Sequence, residues 1–301
     1  MSKKTILLYG RTNSGKTAQI GELAEYVFAK TGKKTRLYHG DKGGLDTISP
    51  QIEEGIIMVE EMGNTDPWHF LHHAARGHYK DSQGKWILTP EENIGVYGFE
   101  SLRSIAEGLM ESMKQKAAEG VNIGGGSNVA FQIKDASDGQ TLKISGSNMA
   151  HFGVAQSRMT EEVWQSQRLN ADYIIWTSSV SKDDDSTSSN KVLGPDVIGK
   201  ALTPEVPRWF NLTFRIDVEP AKNGAPEKHI LFLGNHVDIG AGGAAGLGNI
   251  RMPLGAPALT SNTIEPASLV KALQLIEGGQ KSAREALKKR LASFANLPTK
   301  A

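Results

Sequence analysis

A glycine-rich stretch near the start of the chain constrains the fold more than any other segment. Residues 5–9, Thr-Ile-Leu-Leu-Tyr, form a short apolar run of the kind that makes a buried strand. The next eight residues, Gly10 to Thr17, match the pattern G-x-x-x-x-G-K-[ST] at every fixed position, and apolar residues then recur at helical spacing from Ala18 to Phe28. A phosphate-binding loop requires this order of strand, glycine loop and helix. The sequence therefore predicts an α/β domain built around such a loop.

The residue types in this loop predict binding of a nucleoside triphosphate. Glycines allow the backbone to wrap a polyphosphate with its N–H groups, and the helix N-terminus adds partial positive charge. We expect Lys16 to reach the β- and γ-phosphates and the Thr17 hydroxyl to bind Mg²⁺. The residues predicted to contact the nucleotide are Gly10, Arg11, Thr12, Asn13, Ser14, Gly15, Lys16, Thr17 and Ala18.

A second feature of a nucleotide site follows the apolar run at residues 93–99. Glu100 comes directly after this predicted strand, and Ser101 and a helix predicted over about 102–119 come next. An acid at such a strand end holds the magnesium shell or polarises the attacking water in nucleotide-hydrolysing proteins. We therefore predict that Glu100 is catalytic and shares a Mg²⁺ ion with Thr17.

Composition limits the alternatives without choosing a partner. Lys and Arg number 34 against 33 Asp and Glu, so the net charge argues neither for nor against nucleic acid. The absence of cysteine excludes disulfides, cysteine-zinc sites and thiol catalysis. Because no apolar run approaches the length of a membrane span or signal peptide, we expect a soluble, intracellular protein with no membrane partner.

In the rest of the chain, predicted strands alternate with predicted helices, and the pattern divides the chain into a core, an arm and a tail. Further strands are expected at 35–39, 55–59, 172–180, 211–218 and 229–233. Helices are expected at about 66–79, 154–170 and 266–294, and the two glycines 278–279 suggest a break in the last. We predict a core over 1–236 with a hairpin-like insertion at 120–150, a Gly/Pro-rich arm over 237–264 and a C-terminal helical tail over 265–301.

Histidines crowd the predicted helix at 66–79. His69 and His73 are four residues apart, a spacing compatible with metal binding, but no acidic or thiol third ligand is evident. The interpretation favoured by the sequence is a solvated helix face.

The order of these elements resembles the RecA-like ATPases, and more closely the small phage ATPases of that class in single-strand annealing and recombination. The resemblance covers roughly residues 4–235. The segment 37–46 is similar to the family's strand end with a water-activating acid, which implies that role for Asp41. The family's Asp-Ser pair corresponds to Glu100 and Ser101. If the protein assembles as a ring or filament, the resemblance implies that either Lys200, in a Gly-Lys segment before the late strands, or the nearby Arg208 acts on a neighbouring subunit's nucleotide.

The resemblance implies a RecA-like core with a mostly parallel central sheet flanked by helices, and Mg²⁺-dependent ATP hydrolysis. It also implies a homo-oligomer, a ring or filament, with single-stranded DNA as a candidate partner and phage recombination or replication as the setting. The corresponding location is the cytoplasm of an infected bacterium. The resulting catalytic set is Lys16, Asp41, Glu100 and Lys200.

Three other functions stay open at this stage. One is a phage assembly or packaging ATPase that acts on protein, and another is a nucleotide-binding interaction protein without turnover. The third is a small-molecule kinase, which usually needs an arginine-rich lid over the phosphates. Because residues 237–263 hold only Arg251, the sequence counts against a kinase.

Overall fold

The computed structural model describes residues 3–41, 43–63, 65–88, 93–118, 130–134, 141–145, 149–183, 192–198, 202–203, 205–220, 227–233 and 263–295. The strands, in chain order, are β1 (Lys4–Gly10), β2 (Lys34–His39), β3 (Ile57–Glu61), β4 (His78–Lys80), β5 (Trp86–Leu88), β6 (Ile94–Glu100), β7 (Ala130–Lys134), β8 (Thr141–Ser145), β9 (Tyr173–Ser178), β10 (Val180–Asp183), β11 (Val192–Pro195), β12 (Leu212–Glu219), β13 (Lys228–Leu233) and β14 (Thr263–Ile264). The helices are α1 (Lys16–Thr31), α2 (Ser49–Glu53), α3 (Pro67–Ala74), α4 (Leu102–Ala118), α5 (Met149–Ser166) and α6 (Leu269–Ala295), with 3₁₀ turns at Leu45–Ile48 and Val206–Trp209.

Eight strands form the central sheet in the order β14-β13-β12-β1-β9-β6-β2-β3. The six from β12 to β3 run parallel, and β13 and β14 complete one edge as antiparallel strands. Helices cover both faces, which is why β1, β6 and β9 are buried along their whole length and have nearly continuous apolar sequences. The predicted α/β architecture with a mostly parallel sheet is confirmed.

Two apolar cores lie on the opposite faces of this sheet. One is formed with α3, α4 and α5 and includes Trp176, stacked on Phe99 at 4.2 Å between ring centroids. The other is formed with α1 and α6 and includes Leu23 and Leu273. The sheet is therefore held from both sides, and its strand ends are fixed in position.

Several predicted boundaries differ from the structure. The helix expected over 66–79 ends at Ala74, because Gly77 takes a left-handed φ of 75° and starts a turn into β4. The short β4–β5 hairpin has no counterpart in the prediction. Helix α5 begins at residue 149, five residues earlier than expected, and Phe152 packs on the core within this added turn.

The C-terminal helix and the insertion were also predicted. Helix α6 runs without a break through Gly278 and Gly279, so the suggested interruption is wrong. Its first half packs in the core with α1, and this burial offsets the low helix propensity of the glycines. Strands β7 and β8 pair antiparallel beside α4, as expected for the hairpin, whereas most of the arm, residues 237–262, lies outside the described residues.

The parallel strands end together at one edge of the sheet. This edge carries the C-terminal residues of β1, β2, β6 and β9, which are Gly10, His39, Glu100 and Ser178. In open α/β sheets, ligands bind outside the carboxyl ends of the strands. No helix within the described part of the chain is both long and apolar enough to cross a lipid bilayer.

Candidate functional site

The predicted phosphate loop connects β1 to α1 in a conformation that needs its glycines. Gly15 precedes the first turn of α1 with φ of 94°, and Asn13 also has a positive φ, 62°. A Cβ atom on Gly10 would collide with the carbonyl oxygen of Ile216 in β12. The loop therefore packs tightly on the sheet and presents the N-terminus of a 16-residue helix at the strand ends.

Lys16 lies inside this loop and contacts its backbone. The Nζ atom donates to the carbonyl oxygens of Gly10 at 3.1 Å and Arg11 at 2.9 Å. Burial lowers the pKa of Lys16, and the nearby carboxylates of Glu100 and Asp41 oppose this shift. The structure thus brings the predicted lysine and both predicted acids into one electrostatic neighbourhood.

Thr17 and Glu100 meet directly although they are 83 residues apart in the sequence. The Thr17 hydroxyl donates to Glu100 Oε1 at 2.6 Å, and Glu100 Oε2 is buried without a hydrogen-bond partner in the described structure. A hydroxyl and a carboxylate are oxygen ligands of the type that Mg²⁺ takes, usually one or two from the protein, with phosphates and waters completing the shell. These two residues therefore fit the magnesium ion that the sequence predicted.

The Glu100 carboxyl is buried, and no lysine or arginine of the described structure forms an ion pair with it. It is 3% exposed, and burial raises its pKa to about 7, while the hydrogen bond from Thr17 and the charge of Lys16 act in the opposite direction and Asp41 adds to the rise. His39 Nε2 lies 3.8 Å from Glu100 Oε2, too far for a hydrogen bond. Since burial also lowers the pKa of His39, this imidazole supplies no positive charge at neutral pH. A cation bound here would stabilise the ionised carboxylate.

Asp41 is held at the start of α4. The hydroxyls of Ser101 and Ser104 both donate to its Oδ1 atom, the first at 3.3 Å and the second through a very short contact. The Glu100–Ser101 peptide bond is cis. Two hydroxyls therefore fix the carboxylate that the sequence resemblance assigned to water activation, while its second oxygen, Oδ2, accepts from neither of them.

The remaining predicted residues have weaker contacts with the site or lie away from it. Arg11 is 59% exposed, with Nε 3.8 Å from Asp217, a carboxylate that also accepts from Arg215 at 2.5 Å. Lys200 lies outside the described residues. Arg208 is 68% exposed and pairs with Glu205. It precedes β12, which places it near the amino ends of the parallel strands, whereas the phosphate loop lies at their carboxyl ends. Arg208 therefore cannot reach the nucleotide of its own subunit.

Some residues at the site were not predicted. His229 on β13 contacts the Ser14 carbonyl oxygen through Nδ1 at 2.9 Å, and these residues are 215 positions apart, so no local pattern could find the pair. Ser104 offered a weak signal, because it follows Ser101 by three residues at a helix start, where hydroxyls commonly cap.

Two cavities flank the loop. One of about 400 Å³ lies beside α1, between Ala18, His229 and Pro266, and a larger one of about 1180 Å³ extends from Asp41 along α4. The first has room for part of a nucleotide beyond its phosphates, and the second opens the Asp41 side of the site.

The histidine-rich region is partly buried, so the predicted solvated face holds for His69 and in part for His72, whose side chain is 40% exposed. His73 stacks on Trp86 at 4.7 Å between centroids, and its Nδ1 lies 2.8 Å from Nδ1 of His78. His72 contacts Glu162 at 3.3 Å. Among the described residues, no group of three or more His, Cys, Asp or Glu side chains is arranged to hold a metal ion.

No protein-family model matches the chain, and no curated protein matches it. Solved structures that resemble it include a KaiC-like protein from Pyrococcus horikoshii, at 13% identity and a TM-score of 0.39 over 76% of this chain and 77% of that one. Another is the RadB recombinase, at 11% identity and a TM-score of 0.41 over 77% and 81%. The chain has a mixed α/β fold, with its glycine loop and acid-ended strand β6 at one edge of a mostly parallel sheet.

Proposed function

We propose that this protein is a Mg²⁺-dependent ATPase. The observation that carries the proposal is the contact of the Thr17 hydroxyl with the buried Glu100 carboxylate, at the mouth of a complete phosphate loop. Few structural roles explain an acid that is buried with one oxygen unpartnered and lies beside the loop lysine. Binding of a magnesium-bound triphosphate does explain it.

Each residue then has a defined role. Backbone N–H groups of residues 10–18 hold the phosphates, and Lys16 neutralises charge on the β- and γ-phosphates. Thr17 and Glu100 hold Mg²⁺, which when bound polarises the phosphoryl oxygens. Asp41, oriented by two serine hydroxyls, positions the attacking water and accepts its proton.

Turnover also needs positive charge beside the transferred phosphoryl group, to stabilise the negative charge that develops on it. Apart from Arg11, which lies in the loop itself and is 59% exposed, the arginines around this edge in the described part of the chain are engaged: Arg103 pairs with Glu107 at 2.6 Å and Asp196 at 3.0 Å, and Arg215 pairs with Asp217. A basic residue from a neighbouring subunit contributes about 10³–10⁵ in rate in related phosphoryl-transfer enzymes. We therefore propose that the protein works as an oligomer, with Lys200 or Arg208 completing the neighbour's site.

The acted-on partner in this proposal is single-stranded DNA. The sequence resemblance alone supports this choice, together with a phage recombination or replication setting and a location in the infected bacterial cytoplasm. An ATPase of phage assembly would have the same site and a protein partner.

One experiment tests the function and separates these partners. ATP hydrolysis is measured with and without Mg²⁺ and single-stranded DNA, over a range of protein concentrations, for the wild type and Lys16→Ala. We expect Mg²⁺-dependent turnover that rises more than linearly with protein concentration, increases with DNA and is lost in a folded Lys16→Ala protein. Turnover without a DNA effect would favour the protein partner, and equal turnover in Lys16→Ala would contradict the ATPase site.

A further inference from the structure

A separate cavity of about 450 Å³ opens near the starts of β2 and β6. It lies at the opposite ends of these strands from Glu100 and the phosphate loop. Its lining combines the basic Lys34 and Arg36, the apolar Met58 and Ile94, and Tyr79 with Asn93. No acidic side chain of the described structure lines it.

Arg36 is the unusual member of this lining. It is 7% exposed, yet no carboxylate among the described residues lies within ion-pair distance of it, and its Nε has no hydrogen-bond partner there. Its nearest compensation is weak: Nη2 lies 3.6 Å from the Met58 sulfur, and the guanidinium lies 4.6 Å from the centre of the Tyr79 ring. An arginine cannot lose its proton, and buried charges in proteins are normally paired with an opposite charge. The fold therefore holds a buried cation whose counter-ion is missing from the residues that surround it.

Lys34 strengthens the positive charge of the cavity. It lies two residues before Arg36 on the same strand, so both side chains are on the same face of the sheet. No described carboxylate pairs with Lys34 either, and its side chain is exposed at the rim. A guanidinium in the wall and an ammonium at the rim form a suitable pair for one oxyanion.

We propose that this cavity binds a small organic molecule that carries an oxyanion, a phosphate or a carboxylate, with Arg36 as its main donor. The volume lies in the range of small-molecule sites, and Met58, Ile94 and the Tyr79 ring give the organic part apolar contacts. The site is separate from the nucleotide site because the length of the strands lies between the two.

The test removes the phosphate loop as a competing anion site. All variants carry Lys16→Ala, and binding of inorganic phosphate and of acetate is measured at constant ionic strength by calorimetry and by the shift in melting temperature. Arg36→Met is compared with Arg168→Met, which removes the same charge from an exposed position. We expect Arg36→Met to weaken anion binding by about tenfold or more and Arg168→Met to leave it unchanged.

Lys34→Met keeps the proposal testable if Arg36→Met does not fold. Because Lys34 is exposed, this variant should fold, and it should weaken binding of the same anion by a smaller factor. Preference for phosphate indicates a phosphate ester as ligand, and preference for acetate indicates a carboxylate. Failure of both anions to bind or stabilise the Lys16→Ala protein would overturn the proposal, as would equal losses in Arg36→Met and Arg168→Met.

A carboxylate of the chain itself is the main competing explanation. Glu91 and Glu92 precede Asn93 in the sequence and lie outside the described residues. In a double-mutant cycle, the stability effect of Glu91→Gln/Glu92→Gln should be the same with and without Arg36→Met. A destabilisation that disappears when Arg36 is replaced would show an internal ion pair and overturn the proposal.

Discussion

Two buried glutamates in this molecule have opposite surroundings. Glu162, on α5, is 0% exposed and lies 2.7 Å from both Arg76 and Arg158, with His72 at 3.3 Å. Glu100 is 3% exposed, and in the described structure its side chain accepts one hydrogen bond, from the Thr17 hydroxyl. The basic groups near it there are His39, at 3.8 Å, and Lys16, whose charge acts to lower its pKa.

The difference separates a structural acid from a functional one. Glu162 joins α3 to α5 through cations that the fold already supplies, so nothing more is needed there. Glu100 faces the phosphate loop and has no arginine partner in the described structure, and burial raises its pKa to about 7. A buried acid at a ligand edge that is short of positive charge is a candidate cation ligand, whereas one surrounded by arginines is a packing element.

The largest expected effect is on turnover and concerns Asp41, the other acid at the site. In the described structure its side chain, like that of Glu100, accepts hydrogen bonds from hydroxyls and not from cations; the donors are Ser101 and Ser104. Asp41→Asn should lower kcat by about 10²–10⁴-fold because the proton acceptor is lost, while Mg²⁺-ATP still binds. Ser104→Ala is the control, with a smaller loss, since it alters only the orientation of Asp41. Unchanged turnover in Asp41→Asn would place the base elsewhere.

Stability measurements test the comparison of the two glutamates directly. Glu162→Gln should lower the free energy of unfolding by about 3–5 kcal/mol, because it leaves two arginines without their buried partner. The matched control is Glu161→Gln, whose carboxylate is 63% exposed and pairs with Arg158, so about 1 kcal/mol or less is expected. Glu100→Gln removes a buried charge that has no arginine or lysine ion-pair partner in the described structure, so it should not lower the free energy of unfolding. Chemical denaturation of the three variants would contradict the comparison if Glu162→Gln and Glu161→Gln behaved alike.

The smallest expected effect is a pH dependence of stability that arises from His73, in the histidine-rich region near Glu162. Burial, with the charges of His78, His72, His69 and Arg76, lowers the pKa of His73 from 6.5 to about 4. The unfolded chain therefore binds more protons between these values, and the contribution of His73 to stability, complete above pH 6.5, is lost as the pH falls towards 4. His73→Phe keeps the stacking on Trp86 and should flatten this part of the stability profile, whereas His69→Phe, at the exposed histidine, should not. Identical profiles for His73→Phe and the wild type would contradict the assignment.

The sequence was informative where a local pattern carries the chemistry. The loop from Gly10 to Thr17 and the acid after β6 follow from short segments, because phosphate binding requires fixed spacing and strand ends meet at one edge. The β4–β5 hairpin was missed because helical periodicity continued past Gly77, whose left-handed backbone ends the helix. Contacts such as Arg103 with Asp196, or His229 with the loop, join distant segments and leave no local trace in one sequence.

The most direct test of the account is the Mg²⁺ dependence of ATP turnover in Glu100→Gln. Turnover is measured over a series of Mg²⁺ concentrations for the wild type, Glu100→Gln and the surface control Glu111→Gln, with circular dichroism to show that each is folded. The account predicts that Glu100→Gln stays folded, needs at least about tenfold more Mg²⁺ for half-maximal turnover and has a lower maximal rate, while Glu111→Gln matches the wild type. A Glu100→Gln protein with the wild-type Mg²⁺ dependence and rate would show that the buried carboxylate does not serve the metal, and the central claim would be wrong.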